Sequence, residues 1–198
     1  MSIYTAPANL NLEITAQRTD ILHFMDVSTV IEPKPTGDEK TYCLMGAGWT
    51  AVTESPSAQT KERKYINEKS KRKNITSYAP SFAFEVLLMQ NNPAIRWIYD
   101  IYTKRLTGVS AVISMITVDM FDTNNAVGDF YPARLGNYAV EVSSCDDDDD
   151  MIIKGNFNGQ GDEAIGWFDV KNGVFVTTKP EATTENDGQT EESEEPIE

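Results

Sequence analysis

Residues Ser81–Leu106 read SFAFEVLLMQNNPAIRWIYDIYTKRL, and the hydrophobic period changes within them. Phe82, Phe84, Val86 and Leu88 alternate with Ala83, Glu85, Leu87 and Met89. A period of two with apolar residues on both faces predicts a central strand. From Asn92 the period becomes helical. Asn92 is a good N-cap, and Pro93 falls at the first helical position, where its missing N–H costs nothing. Ile95, Ile98, Tyr99, Tyr102 and Leu106 form one apolar stripe, so Ile98 should be buried. Lys104 and Arg105 complement the dipole of the last turn. Gly108 is expected to close the helix in a left-handed conformation. The spacing thus predicts a helix over residues 93–107, packed with one face on a sheet.

The pattern outside this stretch is mostly β. Val109–Val118 is rich in Val, Ile and Thr. Tyr138, Val140 and Val142 alternate with Ala139, Glu141 and Ser143, a half-buried strand. Met151–Phe157 is strand-like and is followed by a turn, Asn158–Asp162. Ala164–Val170 and Val174–Thr178 flank Asn172-Gly173, which predicts a hairpin with a type I′ turn. Strands, one helix and more strands predict a mainly β domain. Two antiparallel sheets would form a β-sandwich or partly closed barrel with one flanking α-helix.

Charge divides the chain. The formal net charge is −14 over 198 residues. Beyond Lys179 there is no basic residue, and eight acidic ones follow from Glu181 to Glu198. Subtracting those eight leaves −6 on the rest. Residues 180–198 lack aromatic side chains, which predicts a disordered acidic tail. Residues 1–10 carry one proline, Pro7, and no clear period, and are read as an N-terminal arm, leaving 11–179 as the folded domain. No apolar run approaches the roughly 18 residues of a membrane span, and no secretory signal is visible, so folding in a cytoplasm is expected. Cys43 and Cys145, the only cysteines, are expected to be reduced.

Residues 55–74 form a long basic loop. Lys61, Arg63, Lys64, Lys69, Lys71, Arg72 and Lys73 face only Glu62 and Glu68, a local charge of +5. Tyr65 and Ile66 are its only large apolar residues. Loops this long within a compact domain are functional or disordered. Three readings remain open: a solvated hairpin tip, a nucleic-acid contact, and an arm that docks on an acidic surface of another copy. Net acidity opposes the second, because tight nucleic-acid binding needs a dense basic surface.

Other candidates are weaker. Asp146, Asp147, Asp148, Asp149 and Asp150 offer clustered carboxylates for calcium, but they lack the alternating spacing and glycine of an EF-hand. A solvated acidic turn is the simpler reading. One histidine, His23, and two distant cysteines cannot readily supply a zinc site. His23 lies in the apolar run Ile21–Met25 and reads as structural. Gly155, Gly159 and Gly161 are followed by no Gly-Lys-Ser/Thr, so they are turn residues rather than a phosphate loop. Trp49, Trp97 and Trp167 read as core or interface anchors. No nucleophile, cofactor or metal site can be assigned, and the chain is read as non-enzymatic.

Several motifs, taken in order, carry a resemblance. Met45-Gly46-Ala47-Gly48-Trp49 is followed by Glu54-Ser55-Pro56, Lys64-Tyr65-Ile66-Asn67 and Ser77–Glu85. The helix Pro93–Leu106 comes next. Lys154–Asn158, Gly166–Asp169 and Gly173-Val174-Phe175 close the series. In this order they resemble the major tail tube proteins of long-tailed, non-contractile, siphovirus-type bacteriophages, especially those of Gram-positive hosts. The resemblance covers most of residues 20–178, not the acidic tail or the five-Asp run. It implies six-membered rings that stack into a tube delivering the genome, with the basic loop reaching a neighbouring subunit. It implies an acidic lumen through which double-stranded DNA passes without specific binding, a use open to Asp146–Asp150. The implied partners are the chain itself and the tape measure, tail-tip and tail terminator proteins. Membranes are not among them. Assembly would occur in the host cytoplasm, with the product in the virion. A carbohydrate- or protein-binding β-sandwich of a virion or cell surface is the alternative.

One outcome follows from composition alone. Removing Pro180–Glu198 should leave the melting temperature within about 2 °C of the parent, because a segment without a core contributes few buried contacts. Differential scanning calorimetry checks this.

Overall fold

The computed structural model describes residues 17–31, 40–147 and 150–181. The expected N-terminal arm, Asp148, Asp149 and tail residues 182–198 lie outside the described residues. The element order is β1 (Ile21–Asp26), β2 (Tyr42–Leu44), β3 (Trp49–Ser55), β4 (Ala58–Arg63), β5 (Arg72–Tyr78) and β6 (Ser81–Leu87). Then come α1 (Pro93–Lys104), β7 (Val112–Asp119), β8 (Phe130–Asp147), β9 (Met151–Gly159), β10 (Ala164–Asp169) and β11 (Val174–Val176). Among the described residues the fold is mainly β, with two antiparallel sheets and a single α-helix, as the patterning predicts. A large curled sheet runs β2-β1-β7-β8-β9-β6-β3, and β10 and β11 join it through β8. The second sheet is the pair β4-β5.

Strand β7 carries apolar residues on both faces, and both are buried. Ile113 and Met115 join one core cluster; Ile116 and Val118 join the other. Neighbouring β1 divides in the same way, with Met25 in the first and Phe24 in the second. The larger cluster fills the inside of the curl. Phe84 stacks on Phe157 at 4.4 Å, Trp49 meets both rings, and Phe82 meets Tyr138 edge-on at 5.3 Å. The smaller one centres on Phe168 of β10, which packs on Phe24 and Tyr42. Cys43 and Cys145 pack separately against the larger cluster.

Phe82, Phe84 and Val86 of β6 are buried as expected, but Ala83 on the other face is exposed, and β6 lies next to the edge strand β3 rather than centrally. One glycine is essential to this region. A Cβ on Gly155 would sit 2.0 Å from the Glu141 carbonyl oxygen and 2.8 Å from the Phe84 ring. The close approach lies beside the bulge between Val142 and Ser144, where the β8–β9 register shifts.

The helix starts as its sequence requires. Asn92 accepts from the amides of Ala94 (3.0 Å) and Ile95 (3.3 Å), and Pro93 occupies the first turn. Ala94, Ile95, Ile98 and Ile101 are buried; Tyr99 and Leu106 pack at the margin of the same cluster. The end differs from expectation. Arg105, not Gly108, takes the left-handed cap (φ 52°), and the Leu106 amide donates to the Ile101 carbonyl at 3.2 Å. The Arg105 guanidinium lies over the Tyr102 ring at 4.8 Å. That contact helps offset the roughly 1–2 kcal/mol a side chain pays in this conformation. Gly108 is left-handed too, but it opens the short 3-10 segment before β7.

The β10–β11 turn also differs. The strands pair from Asp169↔Val174, so the loop has four residues rather than two. The Asp169 carboxylate accepts from the Lys171 and Asn172 amides, both at 2.9 Å, and from Asn172 Nδ2 at 2.7 Å. These bonds hold Asn172 out of the left-handed region, and only Gly173 has positive φ (70°). A local carboxylate turn thus displaces the expected Asn-Gly geometry.

Ile98 is fully buried. Ile98→Asp would place an unpaired carboxylate there and should cost on the order of 3–5 kcal/mol, read as a lower urea midpoint or as insoluble expression.

Candidate self-association interface

The basic excursion is a two-stranded hairpin arm. β4 and β5 pair from Ala58↔Tyr78 to Arg63↔Arg72, with a bulge between Gln59 and Thr60. Every residue of both strands is exposed. The arm continues the β3–β6 hairpin but breaks away from its sheet. Ser57 adopts φ 48°, and Pro80 follows Ala79, whose amide donates to the Ser57 carbonyl at 3.3 Å. Pro56 and Pro80 both lie at this joint, where they remove backbone donors that would extend the ladder.

The cross-strand register separates two faces. Ala58, Thr60, Glu62, Lys73, Ile75 and Tyr78 share one; Gln59, Lys61, Arg63, Arg72, Asn74 and Ser77 share the other. Ile75 and Tyr78 are therefore uncovered apolar groups on a basic arm, and Tyr65 and Ile66 at the tip are exposed as well. Two arm cations are engaged: Lys71 with Glu62 at 3.4 Å, and Arg72 with Glu68, its guanidinium also 5.7 Å from the Tyr65 ring centroid. Lys61, Arg63, Lys64, Lys69 and Lys73 form no ion pair among the described residues.

The described aspartates of the acidic run lie elsewhere. Asp146 pairs with Lys154 at 3.0 Å across the β8–β9 ladder, and Asp150 is exposed. No group of three or more metal-ligating side chains occurs among the described residues. The sheet sets where this turn sits relative to the arm. Ser81, at the arm end of β6, faces Asn158; Leu87, at the other end, faces Ile152 beside the acidic turn. Seven residues of strand separate the two by about 20 Å. The basic arm and the acidic turn thus spring from opposite ends of the sheet.

At the arm end the body is clasped by charge. Arg134 of β8 donates to both Glu54 oxygens (2.8 and 2.7 Å) and to Glu163 at 3.2 Å, and Tyr138 donates to Glu163. The bond from Glu54 holds the Arg134 guanidinium above its usual range; burial and the Glu163 bond push the Tyr138 hydroxyl up. This clasp joins edge strand β3 to β8 and the turn before β10. Nothing in the local sequence announces it, since its partners lie 80 and 29 residues apart.

Next to the clasp, β1 and β3 border a cleft of about 570 Å³. His23 lines it, with Nδ1 3.1 Å from Thr117 Oγ1 and its ring edge-on to Phe82. This is a structural setting. Trp49 is buried, Trp97 packs at the margin of the larger core, and Trp167 donates to the Asn125 carbonyl at 3.3 Å.

No protein-family model and no curated protein matches the chain. Among solved structures, the SPP1 tail tube matches with a TM-score of 0.52 at 14% identity, over 82% of each chain. The chain shares that fold. The tail of an empty GTA particle matches 75% of this chain and 97% of its own at 12% identity and a TM-score of 0.48. The baseplate of the anti-feeding prophage matches 78% and 97% at 10% identity and 0.41. These two are too distant to bear on the argument.

Burial lowers the His23 pKa to about 4; Glu54 opposes the shift, while Arg134 and Arg18 add to it. The unfolded chain takes up this proton near pH 6.5, the folded one only near 4. The contribution is therefore fully present above pH 6.5 and is lost as pH falls toward 4, with a slope of at most about 1.4 kcal/mol per pH unit. Urea denaturation at pH 7 and 4.5 should show a smaller acid loss in His23→Gln than in the parent.

Proposed function

We propose that this protein is a structural virion subunit, a tail tube protein of a long-tailed, non-contractile phage. Its copies form six-membered rings, and the rings stack into the conduit for the genome. The observation that carries the reading is the arm: thirteen strand residues, all exposed, with five unpaired cations and four uncovered apolar side chains. A monomer gains nothing from holding such a surface in two registered strands. A neighbouring copy with acidic surface offers cover for both kinds of group. The likeness in fold to the SPP1 tail tube points the same way.

Polarity supports head-to-tail stacking. The basic arm leaves one end of the sheet, and the acidic β8–β9 turn, with Asp146 and Asp150, occupies the other. Identical subunits repeating along an axis bring unlike ends together, as a heterologous contact requires. Lys61, Arg63, Lys64, Lys69 and Lys73 supply the charge of the arm, and Tyr65 and Ile66 its apolar tip. The overall acidity suits a lumen that repels DNA phosphates. Tape measure, tail-tip and terminator proteins are the expected partners, with assembly in the host cytoplasm. A glycan- or protein-binding module is less well supported, because exposed Tyr65 and Tyr78 lie on the projecting arm rather than around a pocket.

Replacing Lys69, Lys71, Arg72 and Lys73 by Gln should preserve the circular dichroism and melting of the unassembled protein while slowing tube formation at least about tenfold. Light scattering across a salt series, with negative-stain microscopy for tubes or six-fold rings, checks this. Salt should weaken assembly of the parent, because charges beyond about 8–10 Å are screened at physiological ionic strength. Equal assembly of parent and variant at every salt concentration would remove the arm from the interface.

A further inference from the structure

The arm has no share in either core, and every residue of β4 and β5 is exposed. Its direction is therefore set where its two legs enter the body. One leg is Glu54-Ser55-Pro56, and the other is Ala79-Pro80-Ser81. The joint above them is spanned by one backbone bond, from the Ala79 amide to the Ser57 carbonyl at 3.3 Å. A single exposed bond across a hinge leaves what lies beyond it free to swing.

Each leg is anchored just below that joint. On the first, the Glu54 carboxylate accepts both Arg134 bonds, at 2.8 and 2.7 Å. Glu54 lies opposite Phe82 in the β3–β6 register and so shares its inward face. Arg134 belongs to β8, and the pair reaches across the two intervening strands, β9 and β6. A bidentate guanidinium fixes the orientation of its carboxylate as well as its position. Strand β3 needs such a tie, because β6 is its only strand neighbour among the described residues. On the second leg, the Gly159 amide donates to the Pro80 carbonyl at 2.9 Å. That approach depends on glycine, since a Cβ at position 159 would sit 2.8 Å from the Pro80 oxygen and 3.2 Å from its ring.

Both anchors are held to the same long strand. Gly159 pairs with Tyr138 of β8, and the Gln160 amide donates to the Asn137 carbonyl at 2.8 Å. Glu163 accepts from Arg134 at 3.2 Å and from the Tyr138 hydroxyl. The turn between β9 and β10 is thereby fastened to β8 beside the two legs. Neither Glu54, Arg134, Gly159 nor Glu163 belongs to a core cluster.

We infer that Arg134 and Gly159 are positioning residues for assembly: each holds one leg of the arm, and together they aim it. The inference rests on the tail tube reading, in which the arm meets another copy. A repeating contact between identical subunits works at one relative orientation only. An arm already aimed has less freedom to lose when it docks.

Residual dipolar couplings of the unassembled, full-length protein test the aim directly, and light scattering tests its use. In the parent, the amides of β4 and β5 should fit the alignment tensor of the body. In Arg134→Gln the couplings of the arm should fall by at least about half, and tube formation should slow at least about fivefold. Gly159→Ala, which disturbs the other leg, should do the same, and Arg134→Lys should restore part of both effects. Ile98→Val lowers stability without touching either leg, and should leave the couplings of the arm and the assembly rate as in the parent. Averaged arm couplings in the parent would overturn the inference. So would parental couplings in both Arg134→Gln and Gly159→Ala, or an equal loss of assembly in Ile98→Val. The tube reading fails separately, if neutralising Lys69, Lys71, Arg72 and Lys73 leaves assembly unchanged; the couplings then still decide whether the two residues aim the arm.

Discussion

Burial of β7 on both faces is the constraint from which the architecture follows. A strand that carries Ile113 and Met115 on one side and Ile116 and Val118 on the other cannot lie at a surface. Each side needs its own cover. On one side the sheet curls until β9, β6 and β3 bring Phe157, Phe84, Phe82 and Trp49 over it, and α1 packs against the same cluster. On the other side β10 and β11 leave the end of β8 and fold Phe168 and Phe175 against Ile116 and Val118. Strand β8, eighteen residues long, serves both: its first part pairs with β10 and its second with β9. At position 155 the curl admits only a glycine, because Phe84 and the Glu141 carbonyl leave no room for a Cβ.

Much of this was legible where one residue set speaks for one local structure. Asn92, Pro93 and the apolar stripe placed the helix start and its buried face, because capping and period act within a few residues. The helix end was not legible. Both Arg105 and Gly108 are left-handed, and the choice between them depends on where Leu106 meets the core. The Asn172-Gly173 dipeptide gave the right hairpin and the wrong turn, since the Asp169 carboxylate captures the amides that a two-residue turn would leave free. The basic excursion stood out by charge, but its two strands did not. In the arm no side is buried, so no hydrophobic alternation marks the pairing. The Arg134 clasp was invisible in sequence. It exists only because the curl brings Glu54 and Glu163 to one guanidinium.

The two charged features answer to different physics. The clasp lies within the body, where partial burial strengthens a bidentate pair and fixes the edge strand in place. The cations of the arm stand in water, where an isolated pair contributes little and salt screens it. Their value lies in number and position, five of them on a projection that also bears Ile66, Ile75 and Tyr78. Charge of this kind orients an approaching surface, while the apolar groups determine how long it stays.

The joint at Ser57 and Ala79-Pro80 isolates the arm from the domain that carries it. One backbone hydrogen bond spans the joint, and no residue of β4 or β5 enters either core cluster. Changes in the length, charge or apolar content of the arm therefore leave Phe82, Phe84 and Gly155 undisturbed. Body and arm can diverge at different rates, the first held by packing and the second by whatever it meets. A lineage could replace the arm as a cassette between Pro56 and Pro80 and so change what the arm meets, with the curled sheet untouched.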